Sequence, residues 1–215
     1  MTDTVAPLCW HLGARDQRSW TQKRPEQIEN HTSKQVSFDD EPLILVDEQG
    51  QAVGTRPKLD CHLGPGILHR AFSVFVFNSD DKVLLQQRSA EKMLWPSFWS
   101  NSCCSHPRYG EQEQEAVHRR IREELGIAVT RIKRYFDFEY RAAYKDIGCE
   151  WERCSVFSAF SDDPIKRNRS EIDAVRWVAI NELSDLLMAE AENFTPWIKL
   201  EWQRLYPLLA AQRSD

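Results

Sequence analysis

Residues 111–127 read EQEQEAVHRRIREELGI, and this stretch decides which fold the chain can adopt. Val117, Ile121 and Leu125 recur every four residues, which predicts an amphipathic helix that buries one apolar stripe. Gly126 stands where a left-handed C-terminal cap belongs, and apolar residues typical of a strand follow it. The stretch therefore predicts a helix that begins near residue 111, packs on a sheet and ends at a sharp turn.

Charged residues intrude on that stripe. At about 100° per residue, Glu124 falls within or beside it, with Glu113 and Arg120 on its near flank. Since an unpaired buried charge is very costly, Glu124 needs a partner. Arg119 and Glu123 point elsewhere, and we expect them to be surface residues or members of structural ion pairs.

The residues before the helix, 101–107, read NSCCSHP and combine a thiol with an imidazole. Cys104 lies two residues from His106, so a proton donor stands beside a metal ligand. This pattern alone is compatible with zinc capture, redox chemistry or nucleophilic attack. We expect Cys103 to be structural.

Composition excludes several classes of protein. The 28 basic and 33 acidic residues give a formal net charge of -5, which argues against a nucleic-acid partner. No apolar run approaches the roughly 18 residues that span a bilayer, so no membrane association is expected. Six cysteines without a CxxC pair, and no signal peptide, favour a reducing, cytoplasmic location. We expect a monomer or weak oligomer.

Apolar patterning divides the chain into an extension and one domain. Residues 1–38 show no sustained apolar period and are predicted to be a flexible N-terminal extension. The pair Cys9 and His11 within it is more simply incidental than a metal site. Residues 39–215 form the domain, whose predicted elements are strands at 42–46, 71–77, 82–88, 134–144, 149–160 and 175–178 and helices at 180–187 and 197–211.

Three histidines and two glutamates could bind a metal ion. Gly64-Pro65-Gly66 excludes a continuous helix, so we expect His62 to come from a loop and His69 from the start of the next strand. Glu150 and Glu152 lie two residues apart in the strand predicted at 149–160, so both carboxylates are expected on the same face of that strand. The possible ligand set, which suits Zn²⁺ or Mn²⁺ better than Ca²⁺, is His62, His69, His106, Glu150 and Glu152.

A second group combines one carboxylate with several cations. Mg²⁺ commonly uses one or two carboxylates together with substrate phosphates, so Glu124 suits such an ion. Arg88 and Lys92 follow a predicted hairpin, where cations are often only a solvated edge. With Lys58 and Arg120, however, they could hold a phosphorylated substrate.

Aromatic residues at two positions could belong either to the core or to the site. The hydroxyl of Tyr140 needs a polar partner if the side chain is buried. Trp197 follows the breaker at Pro196 and starts the last helix, so it could pack in the core or face a ligand.

The order and spacing of these motifs resemble one known family. The matching stretches are Asn101–Pro107, Arg119–Gly126, Tyr140–Ala142, Glu150–Glu152 and Thr195–Trp197. Together they resemble the type 1 isopentenyl-diphosphate delta-isomerases of the Nudix superfamily, from about Pro42 to the last helix. The resemblance implies an α+β fold, a Nudix-like α/β/α sandwich with a mixed central sheet in a single domain.

The Nudix box of the related hydrolases reads G-x5-E-x7-R-E-U-x-E-E-x-G-U, where U is aliphatic. Ser105 stands where its first glycine belongs, and Arg120 replaces a glutamate of the metal-binding set. These departures weaken a pyrophosphohydrolase interpretation, which needs clustered acids to hold cations. The positions that fit the box are Glu111, Arg119, Ile121, Glu123, Glu124, Gly126 and Ile127.

The resemblance also implies roles for the site residues. Isopentenyl diphosphate would be converted to dimethylallyl diphosphate, with Cys104 protonating the alkene, Glu152 removing a proton and Tyr140 assisting. Trp197 would face the cationic intermediate. The diphosphate would be bound by Lys58, Arg88, Lys92 and Arg120, with Mg²⁺ held through Glu124. One Zn²⁺ or Mn²⁺ would occupy the site formed by His62, His69, His106, Glu150 and Glu152.

Two other functions compete with this interpretation. The chain could be a Nudix pyrophosphohydrolase that acts on a nucleoside diphosphate derivative. It could instead be a non-catalytic module stabilised by zinc, in which Cys61, Cys103, Cys104 and the histidines are structural ligands. Neither accounts for the paired glutamates together with Tyr140, Trp197 and Arg120.

Overall fold

A computed structural model describes residues 33–212 of the 215-residue protein. The pair Cys9 and His11 and most of the predicted extension lie outside the described residues. The elements are, in chain order, β1 (Pro42–Val46), β2 (Ala52–Pro57), α1 (Lys58–His62), β3 (His69–Phe77), β4 (Lys82–Arg88), β5 (Trp99–Ser100), β6 (Cys103–Ser105), α2 (Glu113–Leu125), β7 (Thr130–Tyr144), β8 (Gly148–Phe160), β9 (Ile172–Ala179), α3 (Leu183–Ala189), a 3₁₀ turn (Ala191–Asn193) and α4 (Pro196–Gln212).

The strands form one mixed sheet with β3 at its centre. β3 pairs antiparallel with β1, β4 and β6 and parallel with β8. β7 extends the sheet beyond β8, and β9 extends it beyond β4. β3 is nearly all buried, as its apolar residues on both faces predict.

Helices cover both faces of the sheet. On one face α2 packs against Phe72, Val74 and Phe157. On the other face α3 and α4 pack against a second cluster that includes Phe75 and Val156. The predicted α/β/α sandwich with a mixed sheet is therefore confirmed.

The helix predicted from the opening stretch is also confirmed. Val117, Ile121 and Leu125 are fully buried, and Gly126 ends the helix in the left-handed conformation with φ of 66°. α2 begins at Glu113 rather than at residue 111, because Gln112 and Glu115 form a reciprocal capping box there.

The prediction that His62 comes from a loop is wrong, since His62 is the last residue of α1. Pro57 precedes the helix with φ of -52°, and one turn forms before the breaker is reached. Leu63 is extended and Gly64 has φ of +56°, so the glycines end the helix after His62 rather than prevent it. His69 does begin β3, as predicted.

Residues 34–37, within the predicted extension, contact the domain. Asn168 Nδ2 donates to the Lys34 carbonyl at 2.7 Å, and Arg120 Nη1 donates to the Val36 carbonyl at 2.6 Å. The ammonium of Lys58 donates to Ser37 Oγ. The domain boundary at residue 38 stays a prediction. Across residues 33–212, no helix combines the length and apolarity that crossing a membrane requires.

Gly148 at the start of β8 lies very close to the backbone of α1, and this contact requires a residue without a side chain. A Cβ at this position would lie 2.1 Å from the His62 carbonyl oxygen and 3.1 Å from Leu94 Cδ2. We expect Gly148→Ala to lower the free energy of unfolding by about 3 kcal/mol, because backbone must move to relieve the overlap. Urea denaturation measures the change.

Gly110→Ala is the matched control, since Gly110 has φ of +78° but no heavy atom within 4 Å of the added Cβ. It should cost only about 1–2 kcal/mol of backbone strain. Equal stability of the two variants would contradict the packing argument.

Candidate active site

One cavity of about 580 Å³ collects nearly all of the predicted site residues. Glu91, Met93 and Leu94 contribute to its wall, as do several residues before β1. Of the predicted residues only His69 does not line it, because it lies fully buried behind the surface. The predicted residues that line the cavity are Lys58, His62, Arg88, Lys92, Cys104, His106, Arg120, Glu124, Tyr140, Glu150, Glu152 and Trp197.

Strand register brings Glu152 together with its partners. β7 places Tyr140 opposite Glu152, and β3 places His69 opposite Glu152 on the other side. Tyr140 Oη donates to Glu152 Oε2 at 2.7 Å, while His69 Nε2 lies 3.7 Å from Glu152 Oε1. Tyr140 thus has the polar partner that its burial requires.

Three histidines surround the same carboxylate. The ligand atoms of His62, His69, His106 and Glu152 all lie within 4.8 Å of one another and are buried. Nδ1 of His62 lies 2.7 Å from the Lys58 carbonyl oxygen, and Nδ1 of His69 lies 2.7 Å from the Ile67 carbonyl oxygen. Because a carbonyl only accepts, each Nδ1 carries a proton, and a neutral ring then directs an Nε2 lone pair into the cluster.

The Nε2 lone pairs of His69 and His62 consequently face other nitrogen and oxygen atoms of the cluster. Nε2 of His69 lies 3.2 Å from Nε2 of His106, and Nε2 of His62 lies 2.8 Å from Glu150 Oε2. Among the described residues, Glu150 Oε2 has no hydrogen-bond donor. Such a set needs a cation, either a proton or a metal ion, and its three imidazoles and carboxylates fit a divalent ion such as zinc or manganese.

The protonation states of the cluster follow from burial and neighbouring charges. Burial, with His69 and His62 nearby, lowers the pKa of His106 well below its usual value. Burial acts to lower the pKa of His62 as well, but Glu150 outweighs it and raises that pKa. Burial would raise the pKa of Glu152, yet the neighbouring His69 and the hydrogen bond from Tyr140 hold it below the usual value. Glu152 is therefore ionised, as a metal ligand or a base requires.

The thiol of Cys104 faces the cavity from β6. It donates to Asn101 Oδ1 at 2.9 Å, while Asn101 Nδ2 donates to the Val74 and Cys103 carbonyls and so fixes the amide orientation. Ser73 Oγ lies 3.4 Å from the Cys104 sulfur. Burial, followed by the charge of Glu201, raises the pKa of Cys104, so the thiol carries its proton at neutral pH.

The predicted cations reach the cavity from the end of β4 (Arg88), the loop after it (Lys92), α1 (Lys58) and α2 (Arg120). The Arg88 guanidinium donates to the Leu94 and Trp95 carbonyls at 2.9 and 3.1 Å and lies 5.3 Å from the ring centre of Trp197. Lys92 forms an ion pair with Glu171. Burial and the charge of Lys92 lower the pKa of Lys58 to about 8.

Arg120 is the partner that the buried Glu124 was predicted to need. Its Nη2 and Nε donate to Glu124 Oε1 at 2.7 and 3.0 Å. Burial raises the pKa of Glu124, and the Arg120 charge opposes that shift. A magnesium ion at Glu124 would therefore share this carboxylate with the Arg120 guanidinium.

Trp197 serves both the core and the cavity. Its side chain is buried and its ring meets Trp95 edge to face with centres 5.2 Å apart. Its Nε1 donates to Ser100 Oγ at 2.9 Å, which fixes the ring where it lines the cavity beside Tyr140.

Sequence reasoning missed Glu171, Ser73 and Glu201. Glu171 stands in a polar connector with no period to mark it, although it is buried against Lys92 and Arg120. Ser73 lies inside an apolar strand. Glu201 lies beside the apolar stripe of α4, so its position in the sequence indicates a buried carboxyl just as that of Glu124 does on α2.

The fold and the cavity define a Nudix protein, and residues 67–198 match the NUDIX domain family. The structure is similar to a crystal structure from Deinococcus radiodurans, with a TM-score of 0.62 and 22% identity over 76% of this chain and 98% of that one. It is also similar to a MutT protein of Methanosarcina mazei, with a TM-score of 0.51 and 16% identity over 64% of this chain and 91% of that one.

Sequence relatives define the family within this class. The chain is 44% identical to the isopentenyl-diphosphate Delta-isomerase 1 of Photorhabdus laumondii, over 75% of this chain and 93% of the relative. It is 36% identical to the isopentenyl-diphosphate Delta-isomerase of Clavibacter michiganensis, over 80% and 89%, respectively. The chain belongs to the isopentenyl-diphosphate Delta-isomerase family, and the resemblance found in the sequence is confirmed.

Removal of one imidazole tests the metal site. We expect His106→Ala to lose a stoichiometric Zn²⁺ or Mn²⁺ that the parent protein retains, as measured by elemental analysis after dialysis. Cys104→Ala is the control, because Cys104 is not among the four clustered ligands and should leave metal content unchanged. Parental metal content in His106→Ala would contradict the assignment.

Proton competition at the same cluster predicts a pH dependence. Because the pKa of His62 is raised, falling pH protonates this ring, and so removes its metal-binding neutral form, at a higher pH than it would for an ordinary histidine. Metal affinity, measured by calorimetric titration, should therefore fall as pH is lowered from 8 to 6. An affinity that stays constant across this range would contradict the site.

Proposed function

We propose that this protein is an isomerase that interconverts isopentenyl diphosphate and dimethylallyl diphosphate by a 1,3 proton shift. The observation that carries the proposal is that a protonated thiol and an ionised carboxylate, Cys104 and Glu152, line one cavity together with a cluster of cations. The reaction needs one proton donor, one base and a site for a diphosphate, and the cavity supplies all three.

Cys104 acts as the acid. An unactivated alkene is a poor base, so a donor must be held against its terminal carbon. The thiol retains its proton at neutral pH and is oriented by Asn101, to which it donates before substrate binds. Transfer of that proton to the terminal carbon leaves a tertiary, carbocation-like centre on the substrate and an anionic sulfur on Cys104.

Glu152 removes a proton from C2 and so completes the double-bond shift. The hydrogen bond from Tyr140 keeps this carboxylate ionised and oriented. Tyr140 remains in contact with the proton that Glu152 accepts, which suits it to assist the transfer. One proton enters and another leaves, so substrate and product have the same composition.

Trp197 stabilises the cationic centre. Its ring lines the cavity, is fixed by the bond to Ser100 and lies 5.3 Å from the Arg88 guanidinium, so its π surface suits a positive charge bound in the cavity. A desolvated cation–π contact of this kind is worth about 2 kcal/mol.

The substrate diphosphate is held by Lys58, Arg88, Lys92 and Arg120, since guanidinium and ammonium groups pair with phosphate oxygens. Glu124 would hold Mg²⁺, which would supply positive charge to neutralise the diphosphate. His62, His69, His106, Glu150 and Glu152 would hold one Zn²⁺ or Mn²⁺, which would supply positive charge beside the acid and the base. The proton transfers themselves belong to Cys104, Glu152 and Tyr140.

The competing functions have less support. A pyrophosphohydrolase needs clustered carboxylates, whereas Arg120 stands in the Nudix box where a glutamate belongs and neutralises Glu124. In a zinc-stabilised module the thiols would be ligands, yet within residues 33–212 the clustered ligand atoms come from three histidines and Glu152, with no thiol among them. We further propose a cytoplasmic monomer or weak oligomer whose partner is the small diphosphate, with neither nucleic acid nor membrane bound.

Substitution of the acid and the base tests the mechanism. We expect Cys104→Ala and Glu152→Gln each to abolish conversion of isopentenyl diphosphate, followed by the appearance of dimethylallyl diphosphate and deuterium uptake from heavy water. Cys103→Ala is the matched control. The Cys103 thiol is next to Cys104 in the chain, but it packs against α2 and does not line the cavity. A parental rate in either test variant would remove that residue from the mechanism.

Arg88→Ala tests the diphosphate site. Loss of one charged contact should raise KM by about tenfold or more, with a smaller effect on kcat. Lys82→Ala removes a cation from the same strand that lies outside the cavity and should change neither constant. An unchanged KM in Arg88→Ala would exclude it from the diphosphate site.

A further inference from the structure

Three buried polar residues join the acid of the proposed mechanism to the aromatic ring that faces its cationic centre. Ser100 ends β5, Asn101 follows it, and Thr195 precedes α4, and all three are fully buried. None of them lines the cavity, so none contacts substrate. The two side chains that they join, Cys104 and Trp197, both line it.

The side-chain amide of Asn101 makes four hydrogen bonds, which is its full set. Its Nδ2 donates to the Val74 and Cys103 carbonyls at 3.2 and 3.1 Å. Because a carbonyl only accepts, these two bonds fix which end of the amide is the oxygen. Oδ1 accepts from the Cys104 thiol at 2.9 Å and from the Ser100 hydroxyl at 3.0 Å. The amide therefore cannot turn without losing buried hydrogen bonds.

The hydroxyl of Ser100 is satisfied in the same way. Its single hydrogen is donated to Asn101 Oδ1, so Thr195 is the donor in the contact between the two hydroxyls, whose oxygens lie 2.9 Å apart. Trp197 Nε1 also donates to Ser100 Oγ at 2.9 Å. The Thr195 backbone N–H donates to the Trp99 carbonyl at 2.9 Å, which ties the start of α4 to β5. Ser100 is thus the residue at which the bonds from the thiol side and from the indole side meet.

The reaction places a geometric demand on the thiol and the indole. The alkene carbon that receives the proton is bonded to the carbon that becomes cationic, so the acid and the ring must face neighbouring atoms of one bound substrate. A misplacement of about 1 Å can cost a factor of about 100 in rate. Cys104 lies on β6 and Trp197 on α4, so their separation depends on contacts between these elements.

We propose that Ser100 is a positioning residue of the isomerase, whose hydroxyl joins the Asn101 amide that holds Cys104 to the indole of Trp197. The inference rests on the proposed function, because it takes from it the roles of the acid and of the ring. The cations that hold the diphosphate take no part in these hydrogen bonds. Loss of the Ser100 hydroxyl therefore lowers kcat more than it raises KM.

Two variants of nearly equal shape separate the hydrogen bonds of Ser100 from its packing. Ser100→Thr and Ser100→Val introduce side chains of similar volume, but only threonine keeps the hydroxyl. Ser100→Val should lower kcat by about 10-fold to 100-fold, the loss that a shift of about 1 Å can cause, with KM little changed. Ser100→Thr should restore most of that loss. Ser100→Ala, which removes only one oxygen, should be as slow as Ser100→Val and decides the matter if the larger side chains prevent folding.

Ser102→Ala is the matched control from the same segment. Ser102 is also fully buried, and its Oγ donates to the Leu84 carbonyl at 2.6 Å and accepts from the Val76 backbone N–H at 2.8 Å. Neither bond involves the thiol or the indole. Loss of this hydroxyl should lower the melting temperature about as much as Ser100→Ala does, without lowering kcat.

Binding of two probes tests the position of the ring without turnover. The first is a diphosphate ester that carries a tertiary ammonium in place of the cationic carbon. It should bind Ser100→Val about tenfold more weakly than the parent protein, because part of its cation–π contact is lost. Inorganic diphosphate, which lacks the ammonium, should bind both proteins equally. Calorimetric titration in the presence of Mg²⁺ measures both affinities.

The outcomes distinguish the inference from the function on which it rests. If the parent protein does not form dimethylallyl diphosphate from isopentenyl diphosphate, the proposed function fails. If the parent is active, the inference is overturned by parental kcat in Ser100→Ala, by Ser100→Thr as slow as Ser100→Val, or by an equal loss of kcat in Ser102→Ala. Parental affinity of Ser100→Val for the ammonium ester would overturn it as well.

Discussion

Burial of the Glu152 carboxylate is the constraint on which the rest of the structure depends. A buried anion is tolerated only when donors or cations surround it, and its partners come from β7, β3 and the residues that follow β6. A slip of β8 by one residue would turn Glu152 to the opposite face of the sheet. The register of the central strands and the composition of the active site are therefore fixed by the same requirement.

Features that depend on local periodicity could be predicted from the sequence, and those that depend on distant contacts could not. The four-residue spacing of Val117, Ile121 and Leu125 predicted α2. Because Glu124 falls within that buried stripe, the sequence also predicted that its carboxylate needs a partner. No period marks Glu171 or Ser73, whose burial arises only when separate elements pack. The helical turn that ends at His62 was not predicted. The breaker that follows it, Gly64-Pro65-Gly66, determines where a short helix ends but does not prevent that helix from forming.

One substitution within a common helix alters what the Nudix scaffold can do. A glutamate at position 120 would add a negative charge beside Glu124 and favour metal binding there. The guanidinium of Arg120 instead neutralises that carboxylate and also bonds to the Val36 carbonyl. The helix keeps its packing against the sheet, because the apolar stripe is unchanged, while the charge presented to the cavity is reversed.

The parallel pairing of β3 with β8 has a consequence for the order of folding. These strands are far apart in sequence, with β4, β5, β6, α2 and β7 between them, and such non-local pairing forms slowly. That pairing brings together His69 and Glu152, two of the residues that could hold a metal ion, so such a site is completed late. An ion bound to the finished site would stabilise contacts that are absent from the folding transition state. It would therefore lengthen the lifetime of the folded chain without hastening its formation.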